Sequence, residues 1–315
     1  MSVRPLLKWV GGKRQLLPAL RRYYPRQFGA YIEPFFGSGA VFFDLWAQGR
    51  LTGHPMVLID SNPDLIGCYE TVRDTPDAVA LELEGLADAH ARDGRVQYYR
   101  VRDEQFNPLR AARRTPEGRI AYTPALAAML IYLNRTGFNG LFRVNASGAF
   151  NVPAGRYDKP RISERARLER VAEALNSPGV SLRWGSFLEA VTLAVAGDFL
   201  YIDPPYAPLS ETSNFTSYTS PRFGSGEQQA LQRMVIALSQ RGCHVVLSNS
   251  TAPAIADLYD TNAAARDAGL RALRVPARRA INSNATRRGP VDEYVITNVQ
   301  PEEANTGQKS ARESD

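Results

Sequence analysis

The sequence is poor in cysteine, histidine and lysine, and it contains no long apolar run. Its two cysteines, Cys68 and Cys243, cannot form a disulfide framework, and its three scattered histidines lack the spacing of metal ligands. No stretch of 18 apolar residues is present, and the first residues lack the apolar core of a signal peptide. We therefore expect no metal, no membrane segment and a cytoplasmic location.

The cations are almost all arginine, with 34 Arg against 4 Lys, and the formal net charge is +6. A basic balance is compatible with a nucleic-acid partner, although many basic proteins bind none. Two of the four lysines, Lys8 and Lys13, lie in one short N-terminal segment. Because lysine carries a compact point charge and arginine a planar one, this segment is a candidate site for a charged group.

A strand, a glycine turn, a helix and a second strand follow one another near the N-terminus. Residues 30–36 are mostly apolar, Gly37-Ser38-Gly39 is the turn, residues 40–47 are predicted helical, and the strand at residues 55–60 ends in Asp60. This order is typical of a doubly wound α/β sheet, whose ligands bind at the carboxyl ends of the strands. Further strands are predicted at residues 180–183, 199–202, 244–248 and 292–297, which gives an α/β fold class with a doubly wound, mostly parallel sheet.

The strand pattern is interrupted between residues 71 and 176 by helical stretches and arginine-rich connections. Residues 141–144 and 149–152 alternate in polarity around Asn145-Ala146-Ser147-Gly148, which predicts a β-hairpin. We predict that residues 71–176 form an inserted helical plus β-hairpin domain. Residues 1–70 and 177–300 then form the sheet domain, and the polar residues 301–315 form a disordered tail.

The glycine turn indicates which cofactor the sheet binds. The third glycine of a dinucleotide fingerprint would fall at position 42, where Phe42 stands, so a nicotinamide cofactor is disfavoured. A two-glycine turn still allows close approach to the backbone, which suits S-adenosylmethionine, and Asp60 is placed to bind its ribose. A tight turn without a ligand explains the glycines equally well.

The tetrapeptide Asp203-Pro204-Pro205-Tyr206 follows the apolar run at residues 199–202. An amino group on a heteroaromatic ring is a poor nucleophile, because its lone pair is delocalised into the ring. A carboxylate and a proline-stiffened carbonyl that accept its two N–H bonds would draw the nitrogen toward tetrahedral geometry. Tyr206 would stack on the ring, so this motif indicates chemistry at an exocyclic amine.

The chain resembles the Dam family of DNA adenine-N6 methyltransferases from near its start to beyond the tetrapeptide. The matching stretches are LKWVGGK at 7–13, EPFFGSG at 33–39, DSNPDL at 60–65, NRTGFNGLFR at 134–143, FNVPAGRY at 150–157 and DPPYAPL at 203–209. The resemblance implies methyl transfer from S-adenosylmethionine to adenine N6 in duplex DNA at GATC sites, by base flipping. It also implies that the sheet domain binds the donor and that the inserted domain recognises the target. We expect a monomer associated with the nucleoid.

The resemblance also implies a role for individual residues. Those that line the donor site are Trp9, Lys13, Phe35, Gly37, Gly39, Asp60 and Asp203, and the catalytic residues are Asp203, Pro204, Pro205 and Tyr206. Those that read DNA bases are Lys8, Leu141, Arg143, Pro153 and Tyr157, and those that contact phosphates are Asn139, Asn145 and Arg156. Two positions depart from the family: Asp158 stands where relatives tend to place a cation, and Phe138 where tyrosine is common.

Several alternatives stay open at this point. An RNA adenine, cytosine-N4 or protein glutamine methyltransferase would share the amine chemistry, and a DNA-binding protein without catalysis would share the charge. A zinc deaminase is excluded because its H-x-E and P-C-x-x-C ligands are absent from the sequence. The polar loop at residues 208–226 is a lid or a plain solvated loop, and residues 266–288, which include Asn282-Ser283-Asn284, are a phosphate grip or a solvated basic face. Repair marking, replication control, restriction-modification and phage protection all fit as biological roles.

Overall fold

The computed structural model describes residues 3–9, 11–208, 223–278 and 290–301. The predicted tail beyond residue 301, most of the predicted lid (209–222) and residues 279–289, with Asn282-Ser283-Asn284, lie outside the described residues. Within those ranges, every helix is too short or too polar to span a lipid bilayer.

The chain forms one seven-stranded sheet in which five parallel strands are extended by two strands in antiparallel pairing. The strands are β1 (Tyr31–Glu33), β2 (Met56–Asp60), β3 (Val180–Trp184), β4 (Phe199–Ile202), β5 (His244–Ser250), β6 (Arg271–Arg278) and β7 (Pro290–Thr297), in the order β3-β2-β1-β4-β5-β7-β6. The order reverses between β1 and β4, because the chain builds outward from β1 in one direction and from β4 in the other. In open α/β sheets this reversal leaves a crevice at the carboxyl ends of the strands.

The strands at the antiparallel end differ from the prediction. The strand at residues 292–297 is present as β7, but it runs antiparallel to β5 rather than continuing the parallel sheet. Strand β6 was not predicted at all, because its sequence contains Pro276 and several arginines. Both are tolerated there because β6 is the edge of the sheet, where a missing backbone donor costs no ladder hydrogen bond.

Helices cover both faces of the sheet. The α-helices are α1 (Leu17–Leu20), α2 (Ala40–Ala47), α3 (Pro63–Asp74), α4 (Pro76–Asp93), α5 (Arg95–Tyr99), α6 (Asn107–Ala112), α7 (Pro124–Thr136), α8 (Arg165–Leu175), α9 (Glu189–Leu193), α10 (Ser225–Gln240), α11 (Pro253–Ile255) and α12 (Ala263–Asp267). The 3₁₀-helices are Lys13–Gln15, Arg21–Tyr23 and Phe138–Gly140, and the π-helices are Arg100–Phe106 and Ala256–Asp260. The helix predicted at residues 40–47 is confirmed as α2.

Adjacent residues of the central strands belong to two separate apolar clusters. Tyr31 and Tyr201 are buried in one cluster, and their neighbours Ile32 and Leu200 in the other. Because both faces are covered, these strands are almost continuously apolar. This continuity is why the sequence pattern reveals them.

The predicted insert packs directly against the sheet domain. The cluster that contains Tyr31 also contains Phe106 and Leu130, which lie within residues 71–176. A bidentate ion pair fastens α6 to α3, with Arg110 Nε at 2.6 Å from Asp64 Oδ1 and Arg110 Nη2 at 2.7 Å from Asp64 Oδ2. The core is therefore continuous across the proposed boundary, and the division into two domains stays a prediction.

The predicted hairpin is present only as two isolated antiparallel bridges, Val144 with Phe150 and Gly137 with Ala154, and not as continuous strands. The segment around residue 145 makes the expected turn, in which the Asn145 N–H donates to the Ala149 carbonyl at 2.9 Å. The pairing does not extend because Asn139 adopts a positive φ of 54° within a 3₁₀-helix, and this bends the chain out of the extended conformation.

Candidate active site

The Asp203 carboxylate is the centre of a polar cluster at the carboxyl end of β4. Lys13 Nζ lies 2.8 Å from Asp203 Oδ1, and the Lys13 side chain is 6% exposed. Ser248 at the end of β5 donates to the same oxygen at 3.0 Å, and the Tyr201 hydroxyl lies 3.1 Å from Ser248 Oγ. Among the described residues, every hydrogen bond to this carboxylate reaches Oδ1, which leaves Oδ2 available to accept another.

Burial raises the pKa of Asp203, and the nearby carboxylate of Glu293 raises it further. Lys13 and the Ser248 hydroxyl oppose this shift, because both stabilise the ionised form. The carboxylate is thus a desolvated acceptor held in place by one cation and one hydroxyl.

The rest of the tetrapeptide is anchored at three points. Gln228 Nε2 of α10 donates to the Pro205 carbonyl at 3.0 Å, and the Tyr206 hydroxyl donates to Glu293 Oε2 of β7 at 2.8 Å. Ser250 Oγ donates to the following carbonyl, that of Ala207, at 2.7 Å. Among the described residues none donates a hydrogen bond to the Pro204 carbonyl, so the two acceptors that the amine chemistry requires, Asp203 Oδ2 and Pro204 O, are both open.

The glycine turn binds directly to Asp60. The backbone N–H of Gly37 donates to Asp60 Oδ2 at 2.9 Å, and the N–H of Asn62 donates to Oδ1 at 2.8 Å. Burial raises the pKa of Asp60, and these backbone donors oppose the shift. Since an ionised carboxylate has about four acceptor sites, Asp60 keeps capacity for further donors.

Both glycines are needed where they stand. Gly37 and Gly39 have positive φ angles of 51° and 68°. A Cβ at position 39 would lie 2.5 Å from the Phe36 ring, and one at position 37 would lie 3.2 Å from Trp9 Cδ1. The turn therefore presents bare backbone beside the Trp9 ring, as a closely approaching ligand requires.

Phe35 belongs to an aromatic cluster that the sequence did not reveal. Its ring stacks on Phe187 at 5.0 Å between centroids, and Phe223 meets it edge-on at 5.6 Å. These rings come from three separate segments of the chain, and Phe35 is half-buried among them. The cluster forms an apolar wall next to the glycine turn.

Two of the predicted DNA-reading residues, Lys8 and Tyr157, contact each other beside Trp9. Lys8 Nζ lies 4.4 Å from the centre of the Tyr157 ring, and the Trp9 ring stacks on Phe142 at 5.8 Å. Asn134 at the end of α7 accepts from the Lys8 N–H and donates to the Lys8 carbonyl, each at 2.8 Å. Asn134 thereby joins the N-terminal segment to the start of the predicted hairpin.

The remaining predicted DNA contacts lie on or near the surface. Five of the residues are exposed, and Leu141 and Arg143 are half-buried; the exposed ones are Asn139, Asn145, Pro153, Arg156 and Tyr157. Arg143 Nε donates to Asn151 Oδ1 at 2.7 Å, which orients its guanidinium. The Asn145 side-chain oxygen accepts from Ser147 Oγ at 2.7 Å and from the Ala149 N–H at 2.9 Å, so this side chain also closes the turn.

Three polar residues of the site were missed by sequence reasoning: Ser248, Gln228 and Glu293. Ser248 begins a polar run, Ser248-Asn249-Ser250, at the end of an otherwise apolar strand, and that run is a detectable signal of a site at a carboxyl edge. Glu293 is an acid within an apolar strand, which is a weaker signal. Gln228 has no such signal, because it is one of several polar residues on α10.

The family of D12 class N6 adenine-specific DNA methyltransferases matches residues 9–275 of the chain. A type II methyltransferase of Lactococcus lactis subsp. cremoris, M1.LlaDCHI, is 38% identical over 300 residues, which cover 95% of this chain and 96% of the relative. A type II methyltransferase of Methanocaldococcus jannaschii, M.MjaIII, is 35% identical over 301 residues, with 91% and 96% covered. The DNA adenine methylase of Escherichia coli K12 is 34% identical over 292 residues, with 93% and 94% covered.

These matches confirm the resemblance. They show a methyltransferase family, which the alternative of a DNA-binding protein without catalysis does not predict. The family match includes Lys13, the glycine turn, Asp60 and the tetrapeptide. The protein is therefore an adenine-specific DNA methyltransferase that belongs to the D12 class of N6 adenine-specific enzymes.

Proposed function

We propose that the protein transfers a methyl group from S-adenosylmethionine to adenine N6 in duplex DNA at GATC sites, with the target base flipped out of the helix. The observation that carries this proposal is the pair of open acceptors, Asp203 Oδ2 and Pro204 O, beside the Tyr206 ring. An exocyclic amino group offers two N–H donors on a flat ring. The two open acceptors match the two donors, and the Tyr206 ring can stack on the flat ring. A paired and stacked adenine cannot reach such a cleft, so flipping at a cost of a few kcal/mol is necessary.

In the proposed arrangement the protein acts by positioning the amine. Asp203 and Pro204 accept its two hydrogens, and the Tyr206 face fixes the plane of the base. Because Lys13 and Ser248 bond only Oδ1, Asp203 is held without losing its second oxygen. The negative charge of Asp203 also stabilises the positive charge that develops on the nitrogen as it is methylated.

The proposed donor pocket fits S-adenosylmethionine in three respects. The bare backbone at Gly37 permits close approach, Asp60 retains acceptor sites for ribose hydroxyls, and the Phe35 cluster supplies an apolar wall. Trp9 and Gly39 shape the same turn, and the Lys13 ammonium would meet the donor's carboxylate. When bound, S-adenosylmethionine supplies a methyl group that its sulfonium has already activated, so this proposal requires no metal and no covalent intermediate.

The proposed target surface consists of the N-terminal segment and residues 137–157. Lys8 and Arg143 suit guanine O6 and N7, and Leu141 and Pro153 suit a thymine methyl group. The Tyr157 ring packs against the Lys8 ammonium. The exposed Asn139, Asn145 and Arg156 would contact phosphates, which fix the register of the duplex. We further propose that residues 71–176 are the target-recognition domain, and that the enzyme acts as a monomer in the cytoplasm at the nucleoid.

The test is incubation of the purified enzyme with labelled donor and duplexes that carry GATC or the same bases scrambled, followed by identification of the modified nucleoside. N6-methyladenine in the GATC duplex alone is the expected product. Asp203→Ala should lower single-turnover methylation by at least about a hundredfold while DNA affinity is retained. Methylation of cytosine, or an active Asp203→Ala enzyme, would contradict the proposal.

Asp198→Asn is the matched control. Asp198 is a buried acid at the opposite, amino-terminal end of β4, where it accepts the Ala30 and Val195 N–H groups at 2.7 and 2.9 Å. Its substitution should lower stability and leave the chemistry unchanged, which separates a general loss of folding from a loss of the acceptor.

A further inference from the structure

We propose that Glu293 is a positioning residue for methyl transfer, because its carboxylate holds the Tyr206 side chain in the site. The inference rests on the function proposed above, in which the Tyr206 face stacks on the target base. None of the motifs that identify the family's donor and catalytic residues includes Glu293. It lies 87 residues from Tyr206 in the sequence.

The contact between the two side chains is a hydrogen bond of ordinary length from a hydroxyl to a carboxylate. The Tyr206 hydroxyl donates to Glu293 Oε2 at 2.8 Å. Burial and the neighbouring carboxylates raise the pKa of Tyr206 well above its usual value, so the hydroxyl keeps its proton and remains a donor. Hydrogen bonds to an ionised acceptor are about twice as strong as neutral ones.

The sheet holds Glu293 in the place where it can act. Glu293 lies on β7 directly opposite Ser250 of β5. Ser250 Oγ in turn donates to the carbonyl of Ala207, the residue after Tyr206. The backbone beside the tyrosine and the far end of its ring are thus both attached to the same pair of strands, so the side chain cannot swing away about its Cα–Cβ bond without breaking the hydrogen bond to Glu293.

Glu293 acts through the tyrosine and not on the amine itself. Among the described residues the Glu293 carboxylate bonds Tyr206, whereas Asp203 is held by Lys13 and Ser248. Its influence on Asp203 is electrostatic and acts through space. A side chain held in the site is the property that stacking on a flipped base requires, since a side chain free to swing away would have to be ordered in every turnover.

The experiment compares four variants of the full-length enzyme with the wild type. Glu293→Gln keeps an acceptor oxygen, and Glu293→Leu removes it. Tyr206→Phe removes the donor, and the double variant combines Glu293→Leu with Tyr206→Phe. Single-turnover methylation of a GATC duplex should fall about tenfold in Glu293→Leu, which corresponds to about 1.4 kcal/mol. Tyr206→Phe should lose a similar factor, and Glu293→Gln should stay within about threefold of the wild type. The double variant should lose no more than either single variant, because both remove one bond.

A spectroscopic signal reports the ring itself. With 2-aminopurine in place of the target adenine, the flipped base should be brighter in complex with Glu293→Leu than with the wild type or Glu293→Gln, because a mobile ring quenches it less. Donor affinity should not change in any of the variants.

The chain offers a control on the neighbouring residue of the same strand. The Tyr294 hydroxyl donates to Asp260 Oδ2 at 2.9 Å. Tyr294 belongs to one apolar cluster, and the next residue, Val295, belongs to the cluster on the opposite face of the sheet. Asp260→Leu should lower thermal stability and leave both the methylation rate and the 2-aminopurine signal at wild-type values.

A wild-type rate in Glu293→Leu would overturn the inference, as would losses that multiply in the double variant. If Glu293→Leu does not fold, a wild-type rate in Tyr206→Phe overturns it instead, because that change removes the same bond from the other side. Failure of the proposed function is a different result: the wild-type enzyme would then not methylate adenine in the GATC duplex at all.

Discussion

The hydroxyl of Ser248 should control the pH at which methyl transfer fails in acid. In the proposed mechanism Asp203 accepts from the amine only while it is ionised, so activity should be lost as the pH falls through its pKa. Burial already raises that pKa, and the Ser248 hydrogen bond at 3.0 Å opposes the rise. Ser248→Ala removes a donor to the ionised form, so the acid limb of the rate profile should move to higher pH.

The size of the shift follows from the strength of the lost bond. A hydrogen bond to a charged group contributes about 1.5–3 kcal/mol, and each pKa unit corresponds to about 1.36 kcal/mol, which sets an upper limit of about 1–2 units. Lys13 remains at 2.8 Å, and the Asp203 side chain is 20% exposed, so water replaces part of the bond. We expect an upward shift of about 0.5–1 unit, which lowers the rate by about three- to tenfold within the acid limb and little above it.

The assay is kcat/KM for a GATC duplex between about pH 5 and 9, with thermal unfolding measured at each pH to exclude loss of the folded enzyme. Tyr201→Phe is the matched control, because it removes a partner of Ser248 without removing the donor to Asp203. The acid limb of Tyr201→Phe should move by less than half of the shift expected for Ser248→Ala. An acid limb at the same pH in Ser248→Ala and in the wild type would refute the reasoning that ionised Asp203 is the acceptor.

Three further outcomes are expected. Arg143→Ala should relax discrimination at an outer base pair by about 1–3 kcal/mol, measured as kcat/KM over sites with single changes, and an unchanged preference would count against a base contact. DNA affinity should fall steeply with salt, and Arg156→Ala should reduce the slope of log K against log salt by about 1, whereas a flat response in the wild type would place the DNA elsewhere. Asp64→Ala should lower the free energy of unfolding by about 3–5 kcal/mol in urea titrations, because it leaves the buried Arg110 unpaired, while Asp74→Ala, at an exposed pair, should cost less than about 1 kcal/mol.

The parallel strands could be predicted from the sequence because their burial on both faces leaves an apolar run with sharp ends. The predicted strand at residues 199–202 coincides with β4, and the helix at residues 40–47 coincides with α2. Strand β6 could not be found in this way, because an edge strand tolerates Pro276 and arginines. The direction of β7 was equally hidden, because it depends on how the chain returns and not on the residues of the strand.

The same contrast holds for the site. Asp203, Pro204 and Tyr206 are contiguous, so one motif identifies them together and their chemistry can be argued from residue type. Ser248 and Glu293 are 45 and 87 residues from the groups they hold. Only the pairing of β5 with its neighbours brings them to the tetrapeptide, and that pairing is a property of the folded sheet.

The structure gives a physical reason for the two N-terminal lysines in a chain that mostly uses arginine. Each ammonium lies 4.4 Å from the centre of a tyrosine ring, Lys8 over Tyr157 and Lys13 over Tyr206. Lys13 in addition bonds a single oxygen of Asp203. A guanidinium at this position would form a bidentate pair and occupy both carboxylate oxygens, including the Oδ2 that the proposed amine acceptor needs. The compact charge of lysine neutralises Asp203 in part and leaves one oxygen open, so the arginine bias of the rest of the chain is broken where a planar cation would block the proposed chemistry.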